Sequence, residues 1–402
     1  MGHDVDVAIV GGGPAGLAAA ATAAAGGLRV VVHERNGAIG EPVRTSGGSF
    51  VAPLRRLGVP DDCWHPVHRI RVIGPTTDVV KVYRKPVGCV LDVRRTYQWL
   101  GARAVDAGAE IRLKSHVDGL RRDDSGRVIG LRARDPLRGR YDVDAGVVVD
   151  ASGHTGFLAR DAGLRPANDR SAVGMEIELR APGYDQDEAI FWLGDSVAPG
   201  GYGWAFPTGE GRVRLGVGVV RPESDAEPRD LLNRLLEVFR PLAGGPDAPV
   251  GALEMHSGLM PVLAPTATQL VTDRMLVVGD AGGQGSTLLG EGIRYAITAG
   301  RMAGETLVSA AGDYTAGALA SYPRTWHRRM KRDMAISYAV NQRICNFRDE
   351  DWDRAVRRME ELTPNQAARL FASDFSVGWA MGVLVTHPSL LRSVGRALRQ
   401  RA

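Results

Sequence analysis

Apolar positions along this chain fall into three patterns. From Asp4 to Arg35 they first run together. Val5, Val7, Ala8, Ile9 and Val10 predict a strand buried on both faces, an alanine-rich stretch predicts a helix, and Leu28 to Val32 predict a second strand. Elsewhere the period is two. Ile70/Val72, Val80/Val82 and Val90 predict two or three strands within 68–91, and Met175/Ile177/Leu179, Ala189/Phe191 and Val213/Leu215/Val217/Val219 predict half-buried strands within 171–220. Beyond Tyr322 the spacing becomes helical, with Trp352, Ala355, Met359 and Leu362 on one face and Pro364 starting the next helix.

The intervening stretches predict a helix over Arg94 to Ala107 ended by Gly108, a strand from Glu110 to Leu113, and a hairpin turning at Asp123-Asp124-Ser125-Gly126. Strand Gly146 to Val149 then leads into Asp150-Ala151-Ser152-Gly153. Strand Met275 to Val278 runs into Gly279-Asp280, and Gly290-Glu291-Gly292-Ile293 opens a helix reaching about Val308. The pattern predicts an α/β chain with a Rossmann-type dinucleotide-binding domain, a discontinuous sheet-rich second domain and a helical C-terminal segment. The expected boundaries are 1–62, 88–166 and 266–320 for the first, 63–87 and 167–265 for the second, and 321–402 for the third.

The chemistry begins in the first turn, Gly11-Gly12-Gly13-Pro14-Ala15-Gly16. Gly11 permits a tight strand-to-helix turn, Gly13 lets a pyrophosphate approach the backbone, and Gly16 lets the helix pack closely on the sheet. Fifty-one glycines make such a spacing common by chance, so the motif counts only within its setting of strand, turn, helix, strand and acid. Glu34, about twenty residues on, suits an adenosine ribose and disfavours a 2′-phosphate, which points to FAD or NAD rather than NADP. Arg35 adjoins it. Arg44 in the loop Ile39–Gly48 suits a pyrophosphate, and the loop's glycines let the backbone approach a flat ring. Asp280 suits a ribityl hydroxyl, and the helix opening at Gly292 suits negative charge on a reduced flavin. The stretch Gly201-Tyr202-Gly203-Trp204-Ala205-Phe206-Pro207 holds three aromatics in five residues, in a chain that is only 6% aromatic. It reads either as core filling or as the lining of a pocket for a flat or greasy ligand.

Composition narrows the partners. At 402 residues two or three substructures are expected, and 44% hydrophobic content suits a soluble enzyme. Net charge is +4, the basic residues are nearly all arginine, and nucleic acid is not indicated. The basic cluster Arg324 to Arg332 reads as a solvated helix face, with a membrane-surface or diphosphate contact as the alternative. Cys63, Cys89 and Cys345 show no metal or redox spacing, and no metal site is expected. His154 reads as a loop histidine. No signal peptide precedes the first strand, and the apolar run Val377 to Val385 is far short of the ~20 residues a membrane span needs, so a cytoplasmic, reduced protein is expected.

In order, these motifs resemble the geranylgeranyl reductase family within the para-hydroxybenzoate-hydroxylase-like flavoproteins. The resemblance covers essentially the whole chain. It rests on the opening glycine motif with Glu34, Pro42-Val43-Arg44 to Gly48, Asp150-Ala151-Ser152-Gly153, the Tyr-x-Trp-x-Phe-Pro stretch at 202–207, and Gly279-Asp280-Ala281 followed by Gly290-Glu291-Gly292-Ile293. The resemblance implies FAD held by Ala15, Glu34, the loop of Arg44, Thr45, Ser46 and Gly48, Val117, Asp280, Gly290, Gly292 and Ile293. It implies that Trp192, Tyr202, Trp204, Phe206 and Pro207 shape a cavity for an isoprenoid chain, with Tyr202 and Thr45 beside the chemistry. Thr45 stands where the family's loop has cysteine, and Arg94 falls one place later than the family's acid–arginine pair.

Three functions remain open at this point: an FAD-dependent reductase of prenyl or polyene double bonds, an FAD monooxygenase acting with O2 on a small hydrophobic substrate, and a flavoprotein that binds a ligand without turnover. In the first, Tyr202 or bound water supplies the proton. No second dinucleotide motif is visible, so NAD(P)H docks transiently or a donor protein delivers the electrons.

Overall fold

The computed structural model describes residues 3–376 and 379, apart from 168, 246 and 248. The first strand, Val5–Val10, lies inside an eight-stranded sheet, parallel to Val30–His33 on one side and Gly139–Asp150 on the other. Val7 sits in register with both Val30 and Val147. Val7, Ala8 and Ile9 are fully buried, which is why this run needs no polar alternation. The strand expected at Gly146–Val149 is the end of a longer one. The first half of Gly139–Asp150 pairs with Val128–Asp135, which pairs in turn with His116–Arg122 across the expected turn. Met275–Val277 re-enters this sheet in parallel beside Gly139–Asp150, so distant segments meet at one end of it.

Two helices cross beneath that end at backbone contact. A Cβ added at Gly300, in helix Ile293–Ser309, would come 2.2 Å from the carbonyl oxygen of Ala15, in helix Pro14–Ala25. At Gly304 it would come 2.6 Å from Thr22 Cβ. The small residues of both helices are there to allow this approach.

The second sheet has seven strands, in the order Gly251–Pro261, Ser171–Arg180, Arg212–Arg221, Gly201–Gly209, Glu188–Trp192, Arg69–Ile73 and Asp78–Val82. The aromatic stretch is therefore itself a central strand, rather than a connection between strands. One face is covered by helix Pro228–Phe239 through Leu231, Leu232, Leu235 and Phe239. Towards its other face lie helices Asp349–Glu361 and Pro364–Phe371, through Val356, Leu362, Ala368 and Phe371. Thr363 caps the last of these, its hydroxyl accepting from Gln366 N at 3.3 Å and its own N–H donating to Gln366 Oε1 at 2.9 Å. A three-stranded sheet, Gly48–Phe50, Gly88–Leu91 and Trp64–Val67, pairs separately from these two.

In helix Ser321–Ile344, Tyr322 and Trp326 are buried while Arg324, Arg328, Arg329, Lys331 and Arg332 are exposed. Among the described residues no helix is long and apolar enough to cross a membrane. Of the run Val377–Val385, only Trp379 lies within the described residues.

The helix crossing generates a stability prediction. Gly300→Ala should destabilise the fold by about 1–3 kcal/mol, despite alanine's better helix propensity, because the added carbon meets backbone. Gly251→Ala, where the new carbon meets nothing within 4 Å, should stay within about 0.5 kcal/mol. Equal denaturation midpoints for the two variants would refute the backbone-contact reading.

Candidate active site

The site starts at the first turn. Gly11 has φ +111°, and a Cβ there would come 2.2 Å from Ala151 O, so the turn is pressed against the Asp150–Gly153 loop. Asp150, wholly buried, holds that loop by accepting from Ser152 N at 3.0 Å and Ala159 N at 2.7 Å. A Cβ at Gly16 would come 2.1 Å from Gly11 O, whereas one at Gly13 would meet nothing and open into a large cavity. Glu34 is buried at the tip of the second strand. Its two carboxylate oxygens accept from Gly12 N (2.7 Å) and Asn36 N (2.8 Å). Neither Glu34 nor Arg35 is part of the cavity wall, and Arg35 is exposed. Val117 lies in strand His116–Arg122, and its side chain packs with Ala8, Val10 and Val31 in the core rather than on the wall.

The cavity, of about 1580 Å³, begins at this turn. Its floor includes Ala15, the loop of Arg44, Thr45 and Ser46, and Asp280, Gly290, Gly292 and Ile293. The buried Arg214 guanidinium holds the loop, donating to Ser46 O at 2.8 Å and Leu91 O at 3.1 Å while pairing with Glu178 at 2.9 Å. Asp280 sits in the turn Gly279–Gly282, where burial pushes its carboxyl up to about 6 against the opposing charge of Arg165. That guanidinium donates to Asp280 O and Ala281 O, each at 3.1 Å. Helices Pro14–Ala25 and Ile293–Ser309 both start at the cavity without a side-chain cap, so their first-turn N–H groups and positive dipole ends face it.

Strand alternation sorts the aromatics. Tyr202 and Trp204 line the cavity, together with Phe191 from the neighbouring strand. Phe206 lies behind the wall, packed on Phe191 and Trp204, and a Cβ at Gly48 would come 2.8 Å from its ring. Besides Phe206, two more expected cavity residues are off the wall. Trp192, one residue from Phe191, points to the opposite face and packs in the core under helix Pro228–Phe239. Pro207, one residue past Phe206, is also buried off the wall. Tyr202 does line the cavity, but its hydroxyl donates to Leu289 O at 2.6 Å, and burial raises it well above the usual phenol range. It braces the 287–290 loop instead of offering a free proton. His154 lies off the wall, in the turn Gly153–Thr155, and its carbonyl accepts from Arg165 at 2.9 Å. Arg94 also lies off this cavity, paired with Glu41 at 2.9 Å and Glu254 at 3.7 Å.

Sequence reasoning missed Glu176, His256, Arg165, Arg214 and Phe191. Glu176 and His256 are directly opposed on neighbouring strands, and both line the cavity. The available signal was a charged residue inside an apolar alternation, at Glu176, Glu178 and Arg214. Far from the turn the wall becomes mostly apolar, with Val340, Trp352, Met359, Leu362 and Phe371 of the C-terminal helices beside a few polar residues such as Asn341 and Arg358.

Comparison with known proteins agrees with this geometry. A family described as "FAD dependent oxidoreductase" matches residues 49–318, and one described as "FAD binding domain" matches residues 6–72. The chain is 31% identical over 399 residues to digeranylgeranylglycerophospholipid reductase 2 of Methanothermobacter thermautotrophicus, covering 96% of this chain and 98% of that one. It is 32% identical over 384 residues to digeranylgeranylglycerophospholipid reductase of Methanosarcina acetivorans, covering 91% of each. Among solved structures, a geranylgeranyl bacteriochlorophyll reductase-like protein from Thermoplasma acidophilum superposes with a TM-score of 0.85 at 25% identity, over 98% of both chains. The flavin-dependent brominase Bmp2, at 18% identity and a TM-score of 0.71 over 99% of this chain and 100% of its own, shares the fold. This chain is an FAD-dependent oxidoreductase and belongs to the digeranylgeranylglycerophospholipid reductase family.

Proposed function

We propose that this protein saturates carbon–carbon double bonds in the prenyl chains of a digeranylgeranylglycerophospholipid-type lipid. One observation carries the reading: a single cavity runs from the dinucleotide turn to an apolar end walled by the C-terminal helices. Its volume of about 1580 Å³ exceeds the roughly 300–1,000 Å³ of an ordinary small-ligand pocket, leaving room for a long chain beside a cofactor.

The residues at the turn suit FAD. Glu34 would accept from the ribose hydroxyls, Gly13 and the start of helix Pro14–Ala25 would face the pyrophosphate, and Arg44 would offset its charge. Asp280 would meet the ribityl chain. Gly292 and Ile293 would present the positive end of their helix to the ring edge that gains charge on reduction. When bound and reduced, FAD supplies the hydride. The electrons reach it from transiently docked NAD(P)H or from a donor protein.

The protein's own part is to bind, orient and dry the alkene. Trp204 and Phe191 offer flat apolar surface, Tyr202 is held against Leu289 O, and Met359, Leu362 and Phe371 take the distal chain. Thr45, in place of the family's cysteine, offers a hydrogen-bonding hydroxyl, not an acid: its pKa is too high for proton transfer without an adjacent base.

Three measurements test this reading. Glu34→Ala removes a charge-assisted acceptor worth roughly 1.5–3 kcal/mol, so FAD affinity in a fluorescence titration should fall about 10- to 100-fold. An unchanged affinity would take Glu34 out of the site. Trp204→Ala should raise the lipid KM about tenfold, in line with the roughly 1.5–3 kcal/mol of a lost large apolar contact, with fold and flavin content retained. Loss of folding in that variant would instead make Trp204 part of the core. Finally, flavin reduced without oxygen and mixed with a prenyl lipid should be reoxidised, with a gain of about two mass units for each double bond saturated. Reoxidation only once O2 is admitted, with an oxygen atom in the product, would establish a monooxygenase instead.

A further inference from the structure

Two cavities share one side chain. His256, on the edge strand Gly251–Pro261, lines the main cavity and also a smaller one of about 720 Å³ on the other side of the Glu41–Val43 loop. Each ring nitrogen meets a carboxylate. Nδ1 lies 3.0 Å from Glu176 Oε1, and Nε2 lies 2.9 Å from Glu254 Oε2. Glu176 belongs to the wall of the main cavity, and only 4% of its side chain is exposed. Glu254 belongs to the wall of the smaller cavity, and 44% of its side chain is exposed. The second oxygen of Glu176 accepts from Trp204 Nε1 at 3.1 Å, which fixes the carboxyl against the aromatic wall.

Saturating an alkene consumes a proton along with each hydride; Asp280, with its carboxyl raised to about 6, would be taken up by the ribityl chain, and the remaining acids of this wall are poor sources. The Tyr202 hydroxyl is committed to Leu289 O. The Cys345 thiol is pushed up to about 11 by burial. Thr45 is an alcohol.

We propose that Glu254, His256 and Glu176 form a proton relay from solvent to the reductase cavity, with Glu176 as the acid that protonates the alkene. The inference rests on the reductase reading above. In the balanced step, hydride adds to one alkene carbon while the imidazolium of His256 gives its Nδ1 proton to Glu176, and the Glu176 carboxyl so formed protonates the other carbon, converting C=C to CH–CH and leaving Glu176 ionised and His256 neutral. A proton drawn from water on the Glu254 side then restores the imidazolium.

The charges around His256 favour this role. Glu176 faces it from strand Ser171–Arg180 and Glu254 from its own strand, while Arg214 approaches from strand Arg212–Arg221. Arg94, on helix Val93–Asp106, stands behind Glu254 and also pairs with Glu41. The hydrogen bond to Glu176 and then that to Glu254 hold the imidazole above its usual range, against burial and Arg214. Glu254 is held below its own usual range, first by His256. A raised imidazole pKa keeps the relay loaded at neutral pH and unloads it as pH rises through that value.

The test uses FAD-loaded protein, reduced anaerobically and mixed with a prenyl lipid, beside ring-labelled histidine NMR of the oxidised holoenzyme. In the unaltered protein saturation should slow as pH rises through the His256 titration and show a solvent isotope effect. Glu176→Gln, which still accepts from Trp204, should lower the saturation rate about 100-fold or more while FAD content and lipid binding persist. The His256 ring should then titrate lower than in the unaltered protein. His256→Gln should abolish the pH dependence, and Glu176→Asp should recover part of the lost rate. Glu254→Gln, at the exposed end and without risk to folding, should slow saturation several-fold. Unchanged rates and pH profiles in these variants, in a protein that does saturate the lipid, overturn the relay alone. An ordinary His256 titration, the same with and without Glu176, also overturns it. A protein that never saturates the lipid overturns the reductase reading, and the relay with it.

Discussion

Everything at the site depends on two helices meeting at backbone contact. With Gly300 against Ala15 O and Gly304 against Thr22, helices Pro14–Ala25 and Ile293–Ser309 bring their uncapped N-termini to the same end of one cavity. Each contributes a partial positive charge that falls off within about one turn, so a larger separation would leave only one of them near any given anion. The second helix arrives from far along the chain, delivered by Met275–Val277 pairing beside Gly139–Asp150. A local motif is thereby completed by a segment more than 250 residues away, and the packing of small residues sets the geometry.

The C-terminal helices do more than close the cavity. Tyr322 Oη lies 3.1 Å from Val277 O and 3.0 Å from Gln284 Oε1, and that oxygen also accepts from Gly279 N at 2.8 Å. Helix Ser321–Ile344, which comes later in the chain, thus fixes the turn from behind. Further along the same helix, Asn341 Nδ2 donates to Thr287 O at 2.9 Å, tying down the loop that Tyr202 braces through Leu289 O. Movement of these helices would disturb the cofactor end and the apolar end of the cavity together.

The dinucleotide half of the site was legible because its signal is local. Gly11, Gly13, Gly16 and Glu34 sit in one strand–turn–helix–strand unit whose spacing carries the geometry. The family resemblance was legible from motif order. The cavity wall was harder to read, for a physical reason. Alternation tells which residues share a face but not what that face meets, so Trp192 and Phe191 were equally good candidates until helix Pro228–Phe239 took one side. Glu176 and Glu178 sit at the polar phase of Met175/Ile177/Leu179 and read as solvent-facing. They are buried because Trp204, Arg214 and His256 reach them from other strands. Pairings of that kind depend on register across the sheet, which no short spacing encodes.

The same register explains why a charged seam persists inside an otherwise greasy wall. Glu176 and His256 are directly opposed residues of adjacent antiparallel strands, so the sheet itself sets their distance. Burying such a pair costs several kcal/mol per ion unless every polar atom finds a partner, and here Glu176 meets His256 with one oxygen and Trp204 with the other. An apolar pair of similar size at these positions would often be neutral or stabilising. Stability alone therefore gives no reason for titratable groups at this seam. A reaction that consumes a proton in a largely apolar cavity does give one, because such a wall offers few other acids to supply it.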